Sequence, residues 1–159
     1  MIILKTLLIA ALLMILIQDI KERKVYWFLF PIVGLCAGIL FYQNTYPQLF
    51  YTTVLLNLVF VAILIAIVFL YSKFKLKTTI SNTFGMGDGL LFFALTFSFS
   101  SISFIILFVF GLIFSLTLHL ILKKNSKHQT VPLAGYLSLF FAVAYLSNWI
   151  GILESVYIL

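Results

Sequence analysis

The sequence predicts an all-α, polytopic membrane protein with six transmembrane helices. Of its 159 residues 64% are hydrophobic and 9% charged, and mean hydropathy is +1.24. A soluble domain needs far more polar surface than that. The apolar runs are long enough to cross roughly 30 Å of hydrocarbon at about 20 residues each. Polar residues collect in short stretches between these runs. Six spans would take up about 120 residues by that arithmetic. One integral membrane domain over 1–159 is therefore expected, with no separate soluble domain.

The first span is expected over 2–18, closed by Asp19-Ile20-Lys21-Glu22-Arg23-Lys24. It lacks a small-residue cleavage site and leads directly into a second apolar run, so it reads as a retained helix and not a signal peptide. The second span, 25–42, stops at Gln43-Asn44-Thr45-Tyr46-Pro47. The third, 50–71, ends before Lys73, Lys75 and Lys77. The fourth, 86–99, is short and ends around Ser98, Ser100 and Ser101. The fifth, 102–122, ends before Lys123, Lys124 and Lys127, and the sixth covers 132–150.

Charge sets the orientation. Loops one, three and five carry three Lys or Arg each, and loops two and four carry none. The positive-inside rule makes the basic side cytoplasmic and places both termini outside. Lys5 is the exception, near enough to the outer end of its helix to snorkel. Tyr46, Tyr51, Trp149 and Tyr157 fit an outer aromatic belt, and Tyr26, Trp27 and Tyr71 an inner one. The net charge of +6 is then explained by topology and anionic headgroups, with no nucleic-acid partner. Cys36 is the only cysteine, so neither a disulfide nor a zinc knuckle forms within the chain. Beside Gly34, Ala37 and Gly38 it reads as part of a small-residue packing face. Asn57 and Asn148 read as interhelical contacts, and His119 as a bundle hydrogen bond more than a metal ligand. The phenylalanines of spans four and five read as lipid-facing bulk.

Only four acids occur: Asp19, Glu22, Asp88 and Glu154. Asp19 ends span one and Asp88 begins span four, so both belong at the cytoplasmic interface. If those helices pack together, the two carboxylates meet at one depth. Two carboxylates sharing a site hold one proton between them over a wide pH range. The ionised member can activate water while the other protonates a leaving amine. Such chemistry uses no metal and no cofactor. Gly85-Met86-Gly87-Asp88-Gly89 surrounds the second acid with small residues. Gly85, Gly87 and Gly89 would let a substrate backbone approach and permit a non-helical entry into span four. Such an entry must face protein or water. Taken singly, Asp88 reads equally well as a helix cap and Asp19 as an interfacial polar residue.

Gly85-Met86-Gly87-Asp88 resembles the GxGD motif of membrane aspartyl proteases, and the whole layout resembles the type IV prepilin peptidase family. Asp19-Ile20-Lys21-Glu22-Arg23-Lys24-Val25 is similar to that family's first aspartate and the basic stretch after span one. Val131-Pro132-Leu133-Ala134-Gly135-Tyr136-Leu137 is similar to its proline-bearing entry into the last span. Leu90 stands where the family often has Lys, and Tyr26-Trp27 where it often has Pro-Asn. The cysteine-bearing insertion of the long, methyltransferase-active members has no counterpart here.

The resemblance implies an endopeptidase of a bacterial or archaeal cytoplasmic membrane. Its substrate would be a prepilin-like protein with a short basic leader before an apolar helix. Asp19 and Asp88 would be catalytic, at the cytoplasmic face. Glu22 is then placed to attract a basic leader or to pair with Arg23 or Lys24, and Gln18 to hydrogen-bond in the site. Two other classes stay open: a non-catalytic assembly subunit of the same fold, and a small proton- or ion-coupled transporter using both aspartates. The transporter class usually shows repeated broken helices, and the glycine-framed acid occurs once.

Overall fold

The computed structural model describes residues 1–76, 85–122, 131–153 and 156–157. Among the described residues six α-helices follow one another: α1 (Ile2–Glu22), α2 (Leu29–Gln43), α3 (Pro47–Tyr71), α4 (Met86–Leu95), α5 (Ser101–Leu122) and α6 (Leu133–Trp149). A π-helical turn, Ser72–Leu76, extends α3. No strand occurs among the described residues. Three segments among the described residues are long and apolar enough to cross a membrane: Ile2–Glu22, Pro47–Phe74 and Ser101–Leu122. The helices α2, α4 and α6 are apolar but shorter.

Each expected span contains a helix, but the ends move for physical reasons. The first helix runs past Asp19 to Glu22, because Lys, Glu and Ile sustain a helix regardless of where an interface lies. The second starts at Leu29 instead of 25, after a turn closed by Leu29 N–H to the Tyr26 carbonyl at 3.1 Å. The third begins earlier, at Pro47, where the missing N–H costs nothing at a helix start. The fourth stops at Leu95 and not 99. There the Thr96 hydroxyl donates to the Phe93 carbonyl at 2.7 Å. Beyond it, Asn57 of α3 donates to the carbonyls of Thr96 and Phe99 at 3.0 and 3.1 Å. The non-helical backbone here thus finds a partner inside the protein, as buried carbonyls require.

Packing centres on α6, which lies against α1 and α5, while α1 lies on α2 and α2 on α4. The buried stripe of α1 is Leu8, Ala11, Leu12, Ile15 and Asp19. Steps of three and four residues hold one helix face, so the face that packs the helix also carries Asp19 into the bundle. In α5 the stripe is Phe104, Phe108, Gly111, Ser115 and His119. At Gly111 α5 packs tightly on α6: a Cβ there would lie 2.6 Å from Leu137 Cδ1. Helix α3 is peripheral and buries only Val54, Asn57 and Val61.

Several polar and aromatic expectations change. Phe92, Phe99, Phe104 and Phe108 are buried, with the Phe99 ring tilted against Tyr145 at 4.7 Å and Phe92 edge-on to Phe108 at 4.8 Å. Phe93 and Phe110 are exposed, so only part of the set is peripheral bulk. Asn57 does join two helices' worth of chain. Asn148, in contrast, donates to the Leu153 carbonyl just beyond its own helix at 2.8 Å. Tyr157 is half-buried against Phe41 and Phe99. Gly34 packs on Ala94 and Gly38 on Phe97, making the small-residue face of α2 its contact with α4. Lys5 Nζ sits 4.9 Å from the Trp149 ring centre, which marks the end of the α1–α6 pair opposite Asp19.

Candidate functional site

The first two N–H groups of a helix past its opening residue have no partner within the helix. In α6, which opens behind Pro132, these belong to Ala134 and Gly135. Gly135 N–H donates to Asp19 Oδ2 at 2.6 Å, and Ala134 N–H donates to Asp88 Oδ1 at 2.8 Å. Two carboxylates from distant parts of the chain are therefore held on consecutive backbone donors. They lie within electrostatic reach of each other. The sequence brings the two acids together only if spans one and four pack on each other; in the structure the start of α6 bridges them.

Each acid reaches this point by a different route. Asp19 is the last buried residue of the α1 stripe and is 8% exposed. Asp88 stands in the first turn of α4, whose preceding Gly85 is extended at φ −69° and ψ 135°. Its N–H donates to the Gly85 carbonyl at 3.1 Å. The Asp88 carboxylate also accepts a hydrogen bond from the Gly85 backbone, as an acid at this helix position commonly does. One end of the side chain thus caps its own helix while Oδ1 turns to α6. Asp88 is half-buried, so the pair can be approached from outside the bundle.

The glycines divide into distinct roles. A Cβ at Gly85 would lie 2.9 Å from Asp88 Oδ2, so a side chain there would displace the carboxylate. At Gly87 the nearest foreign atom is Phe30 Cζ at 3.6 Å, an ordinary contact. Gly89 is helical and donates to the Gly85 carbonyl at 3.3 Å. The non-helical entry expected of the glycine run is confined to Gly85. Gly135 was not among the expected site residues. A Cβ there would meet Asp19 Cβ and Oδ2, both at 3.2 Å, and the Leu16 carbonyl at 3.4 Å. Its only sequence signal was membership of the Val131–Leu137 segment.

Arg23 is the second unexpected member. It caps α1 in the left-handed region at φ 55° and ψ 20°, with its N–H directed at the Asp19 carbonyl at 3.3 Å. Among the described residues it is the one non-glycine with positive φ. Its guanidinium is within electrostatic reach of both aspartates, and its Nε is buried with no hydrogen-bond partner. A charge of this sign offsets the repulsion of two acids held together.

The remaining expected residues stay out of the cluster. Gln18 Oε1 accepts from Tyr26 N–H at 3.0 Å, which ties the loop between α1 and α2 to the end of α1. Glu22 is exposed. His119 is buried on the α5 stripe, and no group of three or more His, Cys, Asp or Glu suited to a metal occurs among the described residues. Lys77, Lys123, Lys124 and Lys127 lie outside the described residues. No protein-family model, curated protein or solved structure matches the chain significantly.

Proposed function

We propose that this chain is an intramembrane aspartyl endopeptidase of the type IV prepilin peptidase kind. It removes a short basic leader from a precursor whose apolar helix stays in the membrane. The observation that carries this reading is the seating of Asp19 and Asp88 on the adjacent N–H groups of Gly135 and Ala134. The ionised acid takes a proton from water as the water oxygen attacks the scissile carbonyl carbon. The protonated acid hydrogen-bonds the developing oxyanion. When the tetrahedral species collapses and the C–N bond breaks, the departing nitrogen takes a proton from the pair, which returns to its one-proton state. The α6 donors hold both carboxylates in place throughout.

In this reading all six helices insert, the basic loops face the cytoplasm, both termini lie outside and the aspartates work at the cytoplasmic boundary. The short helices α2, α4 and α6 complete the crossing with their flanking turns, in a bilayer thinned locally around them. Co-expression with a prepilin-like precursor tests the proposal, with leader removal followed by mass. Wild type is expected to shorten the precursor and Asp19→Asn and Asp88→Asn to leave it whole. Cleavage that survives either substitution would refute the two-aspartate mechanism.

One observation favours a second reading. Both acids also do the work of helix caps, as a non-catalytic assembly subunit would require. That reading expects assembly to tolerate Asp88→Asn, because an asparagine oxygen can still accept from Ala134 N–H.

A further inference from the structure

The turn between α4 and α5 gathers buried polar atoms that the fold leaves without protein partners. Asn57 Oδ1 of α3, the hydroxyls of Ser98 and Ser100 in the turn, and the Tyr145 hydroxyl of α6 make no hydrogen bond among the described residues. Asn57, Ser98 and Tyr145 are fully buried, and Ser100 is 5% exposed. Buried polar atoms are nearly always paired, because leaving one unmet is costly. Other buried hydroxyls of this chain follow that rule. Ser115 donates to the Gly111 carbonyl and Ser138 to the Gly135 carbonyl, each at 2.7 Å. Such back-bonding uses a helical carbonyl three or four positions earlier. Ser98 and Ser100 stand past the end of α4, where the chain is no longer helical.

These atoms are neighbours. Asn57 Nδ2 donates to the carbonyls of Thr96 and Phe99, on either side of Ser98 in the chain. Ser100 N–H donates to the Val156 carbonyl at 3.2 Å, and the Phe99 ring lies 4.7 Å from that of Tyr145. The Tyr145 hydroxyl is close to Ser98 without a well-formed hydrogen bond to it, and is within electrostatic reach of Tyr157.

The chemistry of the set selects its ligand. Asn57 Oδ1 can only accept, whereas each hydroxyl can both donate and accept. Water matches that mixture, and a buried water typically bridges about three such groups. A cation would serve the oxygens and leave the hydroxyl protons unplaced. The set also holds no carboxylate. A positive charge is already near: Lys5 Nζ lies 4.9 Å from the ring centre of Trp149, itself 5.6 Å from that of Tyr145.

We propose that Asn57, Ser98, Ser100 and Tyr145 form an internal hydration site, in which bound water ties α3 and α6 to the α4–α5 turn. Neither aspartate contributes to it, and the inference does not rest on the proteolytic reading.

Hydroxyl-radical footprinting by X-ray radiolysis tests this on the full chain in phosphatidylcholine vesicles. Radicals form from water and oxidise the side chains beside it, buried or not. Tyr145 and Phe99 are expected to oxidise several-fold faster than Phe92 and Phe108, which are also buried. Equal protection of all these rings would overturn the proposal. Tyr145→Phe keeps the ring and is expected to slow oxidation of Phe99 several-fold and to lower Tm by a few degrees. A higher Tm would overturn the proposal, since removing a hydroxyl that has no partner relieves the penalty of its burial. Melting is also compared in sodium chloride and choline chloride, with equal Tm expected. Stabilisation by sodium that disappears in Ser98→Ala would overturn the proposal in favour of a cation.

Discussion

The two ends of α4 solve the same problem with different chemistry. At its far end the chain leaves the helix, and the carbonyls of Thr96 and Phe99 are satisfied by the neutral amide of Asn57. At its near end, Asp88 and Asp19 satisfy the N–H groups of the neighbouring helix α6. A single uncharged side chain suffices for the first task. The second uses two carboxylates held together, with Arg23 near both. Acids are good partners for a helix N-terminus, yet capping alone would be served by one asparagine or serine. Placing two acids together adds a repulsion that two neutral caps would avoid. That excess over structural need is the physical argument for chemistry at this end.

Removing the acceptor altogether should have the largest effect. Asp88→Leu is expected to abolish measurable cleavage of a basic-leader peptide, a loss beyond the roughly 10²–10⁴-fold typical of a general acid or base. It should also lower thermal stability, since Ala134 N–H loses its partner. The matching change at the far end separates the two jobs. Asn57→Leu orphans two carbonyls and should cost about 1–3 kcal/mol by thermal unfolding in detergent. The Asn57→Leu protein that remains folded should cleave normally. A cleavage defect in that folded fraction would show that the two ends are not independent.

Smaller changes sharpen the near end. Gly135→Ala places a methyl 3.2 Å from Asp19 Oδ2; displacing one acid by a fraction of an ångström should reduce kcat about tenfold. Gly111→Ala, a clash at the α5–α6 contact, should instead act on stability. Arg23→Gly should have the mildest effect on the fold. Glycine adopts φ 55° freely, so melting should hold or rise by up to about 1 kcal/mol. Loss of the guanidinium should nevertheless slow cleavage several-fold, and Arg23→Lys should restore part of it. Equal rates for wild type and Arg23→Gly would make Arg23 a cap and nothing more.

Much of this arrangement is legible in the sequence, and the rest is hidden for definite reasons. Apolar runs and the polar stretches between them mark the six helices, and the order of the runs puts Asp19 late in the first and Asp88 at the start of the fourth. Helix ends were less visible, because the Asp19–Glu22 stretch marks polarity and not the loss of helical geometry. Which phenylalanines are core could not be read at all. In a membrane both faces of a helix are apolar, so periodicity no longer separates Phe92 and Phe108 from Phe93 and Phe110. Gly135 and Arg23 are tertiary features. One matters because Asp19 from another helix lies against it, the other because of a backbone conformation that its residue type does not announce.

The most direct measurement pairs cleavage with melting for purified wild type, Asp19→Asn and Asp88→Asn in the same vesicles. Asparagine keeps an oxygen for the α6 donors but gives up the shared proton. The account predicts melting like wild type in both variants, with cleavage reduced by at least about 100-fold. Variants that melt like wild type and still remove the leader would contradict it, leaving Asp19 and Asp88 as caps for α6.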